Sequence, residues 1–203
     1  MLTSKKLADE IRRGNEGQPD GIAIVPSPNL DDLAKSGEAA VSLRLGRWFV
    51  TMKTSNIPAI NASYKVDPVP MQNIAKQYFV PFGGEFVLHP NRFVLASTLE
   101  WIRLPSVYAA LVLGKSMLAR RGIIIETAAG VHPGFSGCLT LEIANVGELP
   151  VNLIAGMMIG QLFVQGLDGA VNPSRTDLSG QRKPRLGVFK EDSVLSKLQR
   201  GRR

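Results

Sequence analysis

The stretch Leu139-Thr-Leu-Glu-Ile-Ala-Asn145 alternates apolar and polar side chains with a period of two, the signature of a strand with one buried face. Leu139, Leu141 and Ile143 fall on one face, and Thr140, Glu142 and Ala144 on the other. A lone glutamate in such a strand is ordinarily a solvated one. Buried against a ligand it would instead have a raised pKa suited to proton transfer.

Outward from this strand the chain reads the same way. Ala40–Leu45, Arg47–Met52, Phe86–Leu88, Arg92–Thr98, Ile102–Leu104, Ala109–Leu113, Gly122–Thr127, Gly137–Ala144, Pro150–Leu153 and Ile159–Gln165 are short strand patterns. Gly, Pro and Asn punctuate them at Pro81-Phe-Gly-Gly84, His89-Pro-Asn91, His132-Pro-Gly134 and Asn145-Val-Gly147. Many short strands at such spacing predict an all-β sandwich or barrel. Residues 3–13 form an amphipathic helix pattern, with Leu7, Ala8 and Ile11 on one face, Thr3 or Ser4 as N-cap and Gly14 as its end. Ile22–Val25 is a short strand closed by Pro26 and Pro28, and Asn29–Glu38 has room for one helical turn. Ser116-Met-Leu-Ala-Arg120 predicts a short internal helix. Residues 54–80 have no period and read as an irregular insertion. Residues 166–187 read as a polar tail able to close over a site, and 188–203 as a basic C-terminal tail. One domain over residues 1–187 is expected from the length.

Composition bounds the function. No run approaches the ~18–20 apolar residues of a membrane span, and the N-terminal helix lacks the apolar core of a signal peptide. The single cysteine, Cys138, can make no internal disulfide, so a cytoplasmic address is expected. A net charge of +7 invites a nucleic-acid reading. Arg185, Lys190, Lys197, Arg200, Arg202 and Arg203 concentrate in the polar tail, which argues against nucleic acid as a partner. The same charge suits a small polyanion.

Two histidines, His89 and His132, and one cysteine cannot build a His/Cys/Cys zinc site. No zinc is expected. No Walker loop is present, since Gly114-Lys115-Ser116 lacks the upstream glycine. Cys138 lies in an apolar strand and reads as a small hydrophobe. Two segments beside the glutamate strand stand out. Gly114-Lys-Ser-Met-Leu-Ala-Arg-Arg-Gly122 leaves a strand into a short helix, where Lys115, Ser116 and first-turn amides could face a phosphate. Ala128-Ala-Gly-Val-His-Pro-Gly-Phe-Ser-Gly137 has glycines that let backbone approach a ligand.

In this order the segments resemble the dCTP deaminase family of the dCTP deaminase/dUTPase superfamily. Its members carry G-R-S-S-L-A-R-x-G, then T-A-G-x-I-D-P-G-F-x-G, then an apolar-x-L-E-apolar-x-N strand. Here these stand as Gly114–Gly122, Thr127–Gly137 and Leu139–Asn145. Ala40-Val-Ser-Leu-Arg-Leu-Gly46 is similar to the family's S-V-D-L-R-L-G. Phe86-Val-Leu-His-Pro90 and Thr98-Leu-Glu-Trp-Ile-Arg-Leu-Pro105 match F-x-L-H-P and T-L-E-x-x-x-L-P. Gly156–Gln161 and Ser179–Arg182 continue the likeness. The resemblance implies a distorted, dUTPase-like β-barrel or jelly-roll, a homotrimer with active sites between subunits, and a deoxynucleoside triphosphate as partner. Cytosine would be hydrolysed at C4 without a metal there, and Mg2+ would be held by the triphosphate rather than a protein cage. Glu142 would shuttle protons, Ser116 and Arg120 would orient or stabilise the reacting centre, and the Ala129 backbone would help hold the water. Lys115, Ser116 and Met117 would line the phosphate side, Thr140 would read the base through its backbone, and Gln181 would reach the phosphates as the tail closes.

The chain departs from the pattern at several of these places. Lys115 replaces an arginine and Met117 a serine, Glu126 lies where histidine is frequent, and His132 takes an aspartate's place. Asp177 and Leu178 stand where lysine and tyrosine are usual. The expected reaction is deamination of dCTP, or a modified dCTP, to dUTP and ammonia. The aspartate replaced by His132 is the one dUTPases use to activate water, which disfavours diphosphohydrolysis. A dUTP or dNTP diphosphohydrolase with His132 or Glu126 as base, and a non-catalytic nucleotide sensor on the same fold, are the alternatives.

Overall fold

The computed structural model describes residues 1–53, 74–125, 130–172 and 180–187, with Val194, Lys197 and Leu198 beyond them. Helix α1 (Ser4–Asn15) is capped by Thr3, whose side chain accepts from the Lys6 amide. Its apolar stripe buries Leu7, Ala8 and Ile11, each large aliphatic contributing about 2 kcal/mol. The helix runs one residue past Gly14, the position expected to end it. Gly14 instead lies against the backbone of Gly21 and Ile22, where a side chain would collide, so it lets β1 (Ala23–Val25) pass the helix closely. Helix α2 (Leu30–Lys35) is the turn expected after Pro28, with Asn29 Oδ1 accepting from the Asp31 and Asp32 amides.

Among the described residues nine strands form one sheet. Its main path runs β7 (Ile123–Ile125), β9 (Ser136–Asn145), β5 (Arg92–Arg103), β2 (Val41–Met52), β11 (Met158–Gly166), β6 (Tyr108–Gly114) and β8 (Gly130–Val131). Strand β1 pairs with β5, and β3 (Ala75–Phe79) pairs with β2. A second ladder joins β4 (Glu85–Leu88) to β10 (Val151–Ile154). Phe86 of β4 stacks on Phe49 of β2, with ring centroids 4.6 Å apart, and ties this pair to the main sheet. The sheet curls into a half-barrel. Strands β6 and β7 lie far apart in the pairing order, yet Gly114 sits against the Ile125 side chain, and between them runs α3 (Ser116–Ala119). The core inside the curl holds Leu43, Leu45, Phe49, Ile102, Leu104, Leu141 and Ile143.

The all-β expectation holds, and three details differ from it. The patterns at 40–45 and 47–52 are one strand, and so are those at 92–98 and 102–104. A register shift interrupts each, at Leu45/Phe49 and at Ser97/Trp101, and such bulges break periodicity without ending a strand. Within the expected irregular insertion 54–80, residues 75–79 are strand β3; residues 54–73 lie outside the described residues. Finally, Gly130–Val131, between the expected strands Gly122–Thr127 and Gly137–Ala144, forms a two-residue strand on β6.

Candidate active site

Strand β9 places its side chains as the alternation requires. Leu139, Leu141 and Ile143 are buried in the core, while Thr140, Glu142 and Ala144 are half-buried on the outer face. Across the ladder Thr140 faces Ser97, Glu142 faces Leu95 and Ala144 faces Phe93. Glu142 and Thr140 line a hollow of about 340 Å3 with Phe93, Leu95, Arg185, Leu186 and Gly187. A carboxylate in a partly apolar hollow with an arginine on its wall is a group whose proton affinity a bound ligand can move.

The tail reaches this face by extending the ladder. The Gly180 amide donates to the Ser136 carbonyl, and the Cys138 amide to the Gln181 carbonyl at 2.8 Å. Gly137 makes this possible: its φ is +147°, and a Cβ there would stand 3.0 Å from the Gln181 carbonyl oxygen. Gln181 is 7% exposed and its Nε2 donates to Thr140 Oγ1 at 2.9 Å. Its Oε1 is buried without a hydrogen-bond partner. An acceptor left so costs about 1–3 kcal/mol. Further along, Arg182 lines a hollow of about 550 Å3 with Trp48, Trp101 and Cys138, and the Lys183 ammonium lies 3.8 Å from the Trp48 ring centroid. Burial pushes the Cys138 thiol up, against a smaller opposing pull from Arg182. That is the behaviour of a packed hydrophobe, not a nucleophile.

A second group gathers where β6 meets α3. Lys115 is the N-cap of the helix, extended at φ −78° and ψ 133°, and no side chain caps the first turn. Ser116, Met117 and Arg120 are exposed, Met117 by 66%. Lys115 Nζ donates to Ser42 Oγ of β2 at 3.0 Å. Gly122, at φ +80°, packs on Gly147 so closely that a Cβ would meet its amide nitrogen at 2.5 Å. His132 is exposed in the turn between β8 and β9. Beneath β2, Glu100 is 5% exposed and its Oε2 accepts from the Arg44 amide at 2.9 Å. Desolvation raises its pKa, partly offset by that amide.

The structure thus brings Thr140, Glu142 and Gln181 together, and separately Lys115, Ser116, Met117 and Arg120. No residue of the second group lines the hollow at Glu142. Ala129, Glu126, Asp177 and Leu178 lie outside the described residues. Sequence reasoning did not single out Ser42, Glu100 or Arg182. Ser42 and Glu100 stood inside quoted motifs, and the available signal was a polar side chain at a position whose strand neighbours are apolar. Among the described residues no group of three or more His, Cys, Asp or Glu side chains converges as metal ligands. No helix there is long and apolar enough to cross a membrane.

Residues 1–167 match the profile of the dCTP deaminase-like family. The chain belongs to that family. It is 44% identical over 163 residues to a "dCTP deaminase, dUMP-forming" of a Nocardioides species, covering 79% of this chain and 77% of the relative. It is 38% identical over 164 residues to a dCTP deaminase of Halorubrum lacusprofundi, covering 80% and 75%. Among solved structures, the 2'-deoxycytidine 5'-triphosphate deaminase of Agrobacterium tumefaciens aligns at TM-score 0.55 and 20% identity, over 77% of this chain and 46% of that longer one. That last likeness bears on the fold.

Proposed function

We propose that this protein deaminates dCTP, or a cytosine-modified dCTP, to dUTP and ammonia. The observation that carries the reading is Glu142, half-buried on the outer face of β9 and lining a hollow, in a chain of the dCTP deaminase-like family. Glu142 takes a proton from water as its oxygen attacks C4 of cytosine and passes it to N3. It then takes the proton of the new C4 hydroxyl and delivers it to the amino nitrogen, which leaves as ammonia while C4 becomes a carbonyl. Arg120 and Ser116 stabilise the reacting centre, the Ala129 backbone holds the water, and Thr140 reads the base through its backbone. Lys115, Ser116 and Met117 line the phosphates, which Gln181 reaches from the tail. His132 borders the sugar. Mg2+ would come as a companion of the triphosphate, held by its phosphates rather than by a protein cage. When bound it neutralises phosphate charge. The setting is cytoplasmic.

The same reading takes the protein as a homotrimer with sites between subunits. Two observations support it. Lys115, Ser116 and Arg120 do not line the hollow at Glu142 within one chain. Beside Glu142, an apolar row crosses three strands: Phe93, Ala144 and Ile124 are register partners, with Phe93 44% and Ile124 36% exposed. Exposed apolar rows of this kind mark interfaces.

Incubation with dCTP and Mg2+, following ammonia and separating products, tests the activity. dUTP with stoichiometric ammonia is expected. Binding of dCTP without product would replace the reading with a nucleotide sensor. A second reading, release of dUMP and pyrophosphate, is favoured by the dUMP-forming name of the Nocardioides relative; dUMP in the product mixture would select it.

A further inference from the structure

Lys115 follows the last residue of β6, and its ammonium reaches Ser42 on β2 across the intervening strand β11. Gly160 and Gln161 of β11 pair with Gly114 and Leu113 on one side, and with Leu43 and Ser42 on the other. Two strand spacings are about 9.5 Å, a gap that an extended lysine, one hydrogen bond and a serine hydroxyl can close. The anchor is rigid. Ser42 sits inside β2, and two residues on, the Arg44 amide is held by buried Glu100. The Lys115 amide also donates to the Ile159 carbonyl of β11. Among the described residues no carboxylate pairs with Lys115; the ion pairs found there all involve Lys6, Arg12 or Arg13.

We propose that Ser42 is a positioning residue, a neutral tether that aims the Lys115 ammonium at a substrate phosphate while leaving its charge uncancelled. The inference rests on the reading of Lys115 as a phosphate-side residue. Both positions depart from the motifs S-V-D-L-R-L-G and G-R-S-S-L-A-R-x-G, and the two departures touch. A carboxylate at position 42 would form an ion pair with the ammonium and compete with phosphate for it. It would also add to the acidic lining of a hollow of about 470 Å3, where Ser42 already stands with Asp32, Glu38 and Glu100. A serine hydroxyl accepts one hydrogen bond, fixes direction and adds no charge. Lysine tolerates this arrangement because its compact head has three donors, one for Ser42 and two for a ligand.

The test uses the full chain with Mg2+ and two probes, dCTP and inorganic tripolyphosphate, which shares the phosphates and lacks the base. Affinities are measured by calorimetry for wild type, Ser42→Asp, Ser42→Ala and the double variant Ser42→Asp/Lys115→Arg. Ser42→Asp is expected to weaken both probes by the same factor, on the order of ten-fold. Ser42→Ala, which keeps the charge and loses the aim, weakens both about two- to three-fold. The double variant recovers most of the loss, because a guanidinium has donors left after pairing with aspartate. Thermal midpoints of the variants separate a binding effect from a folding one. Equal affinity of wild type and Ser42→Asp would overturn the tether while leaving the phosphate site standing. So would loss confined to dCTP, or a double variant no better than the single one. Failure of wild type to bind either probe would remove the phosphate-side reading itself, and the tether with it.

Discussion

The outer face of β9 and the corner at α3 are built by different means. On β9, Thr140 and Glu142 inherit their direction from a ten-residue strand whose other face fills the core. Moving Glu142 would mean moving Leu141 and Ile143. At the corner, Ser116 and Met117 ride on a four-residue helix with no buried residue and Arg120 is its C-cap, and the Ser42 hydroxyl tethers only Lys115. Proton-transfer groups need directions fixed to a fraction of an ångström. On the proposed reading Lys115 is the corner group whose direction is held, through Ser42, so the two regions would meet different demands by different means.

The largest test of this contrast is Glu142→Gln. It should lower deamination on the order of 10^3-fold and leave the dCTP affinity within about three-fold of wild type, measured by ammonia release and calorimetry. Equal loss in both would make Glu142 a binding group. Next comes mixing. If β9 and α3 meet between subunits, then co-refolded Glu142→Gln and Arg120→Ala chains, each inactive alone, should recover roughly a quarter of wild-type activity, as random assembly of a cyclic trimer requires. A mixture as inactive as its parts would return both regions to one chain.

A smaller effect is expected at the seam between tail and strand. Gly137→Ala places a Cβ against the Gln181 carbonyl at a φ that alanine rarely adopts. It should raise KM several-fold and speed proteolysis beyond residue 166, with the core transition little changed. An unaltered tail would mean that Gln181 docks independently of Gly137. The smallest effect lies under β2. Burial raises the Glu100 pKa above its ordinary 4.5, so the folded chain holds that proton more tightly than the unfolded one. Stability from this group is therefore lost as pH rises from the ordinary value towards the folded one, and is level beyond. Glu100→Gln, always neutral, should gain stability relative to wild type as pH rises above that ordinary value, in urea unfolding. A constant difference would mean that Glu100 titrates normally.

Much of this was legible in the sequence, and the illegible part has a common cause. The β9 alternation, the Thr3 cap, the helical turn within Asn29–Glu38 and the short helix after Lys115 are local, and they stand where the local pattern put them. The bulges in β2 and β5 hid continuous strands, because each shifts its register partway along. Strand β3 escaped because Ala75-Lys-Gln-Tyr-Phe79 lacks β-branched residues and is largely exposed, held by pairing with β2. At the candidate site, the shared face of Thr140 and Glu142 followed from spacing alone. The Lys115–Ser42 bond joins residues 73 positions apart on strands that are not neighbours, and no local pattern encodes such a meeting. Gln181 is similar. It reads as a polar tail residue, yet the bare backbone at Gly137 gives it a buried seat.

The packing of Gly122 on Gly147 has a mechanical side. The amide of Val146, four residues beyond Glu142, donates to the Gly122 carbonyl at 2.8 Å, so the exit of α3 is pinned to the end of β9. A shift of the helix pulls on the strand through one short lever. In the ring proposed above, that lever would link each chain's helix to its own carboxylate strand.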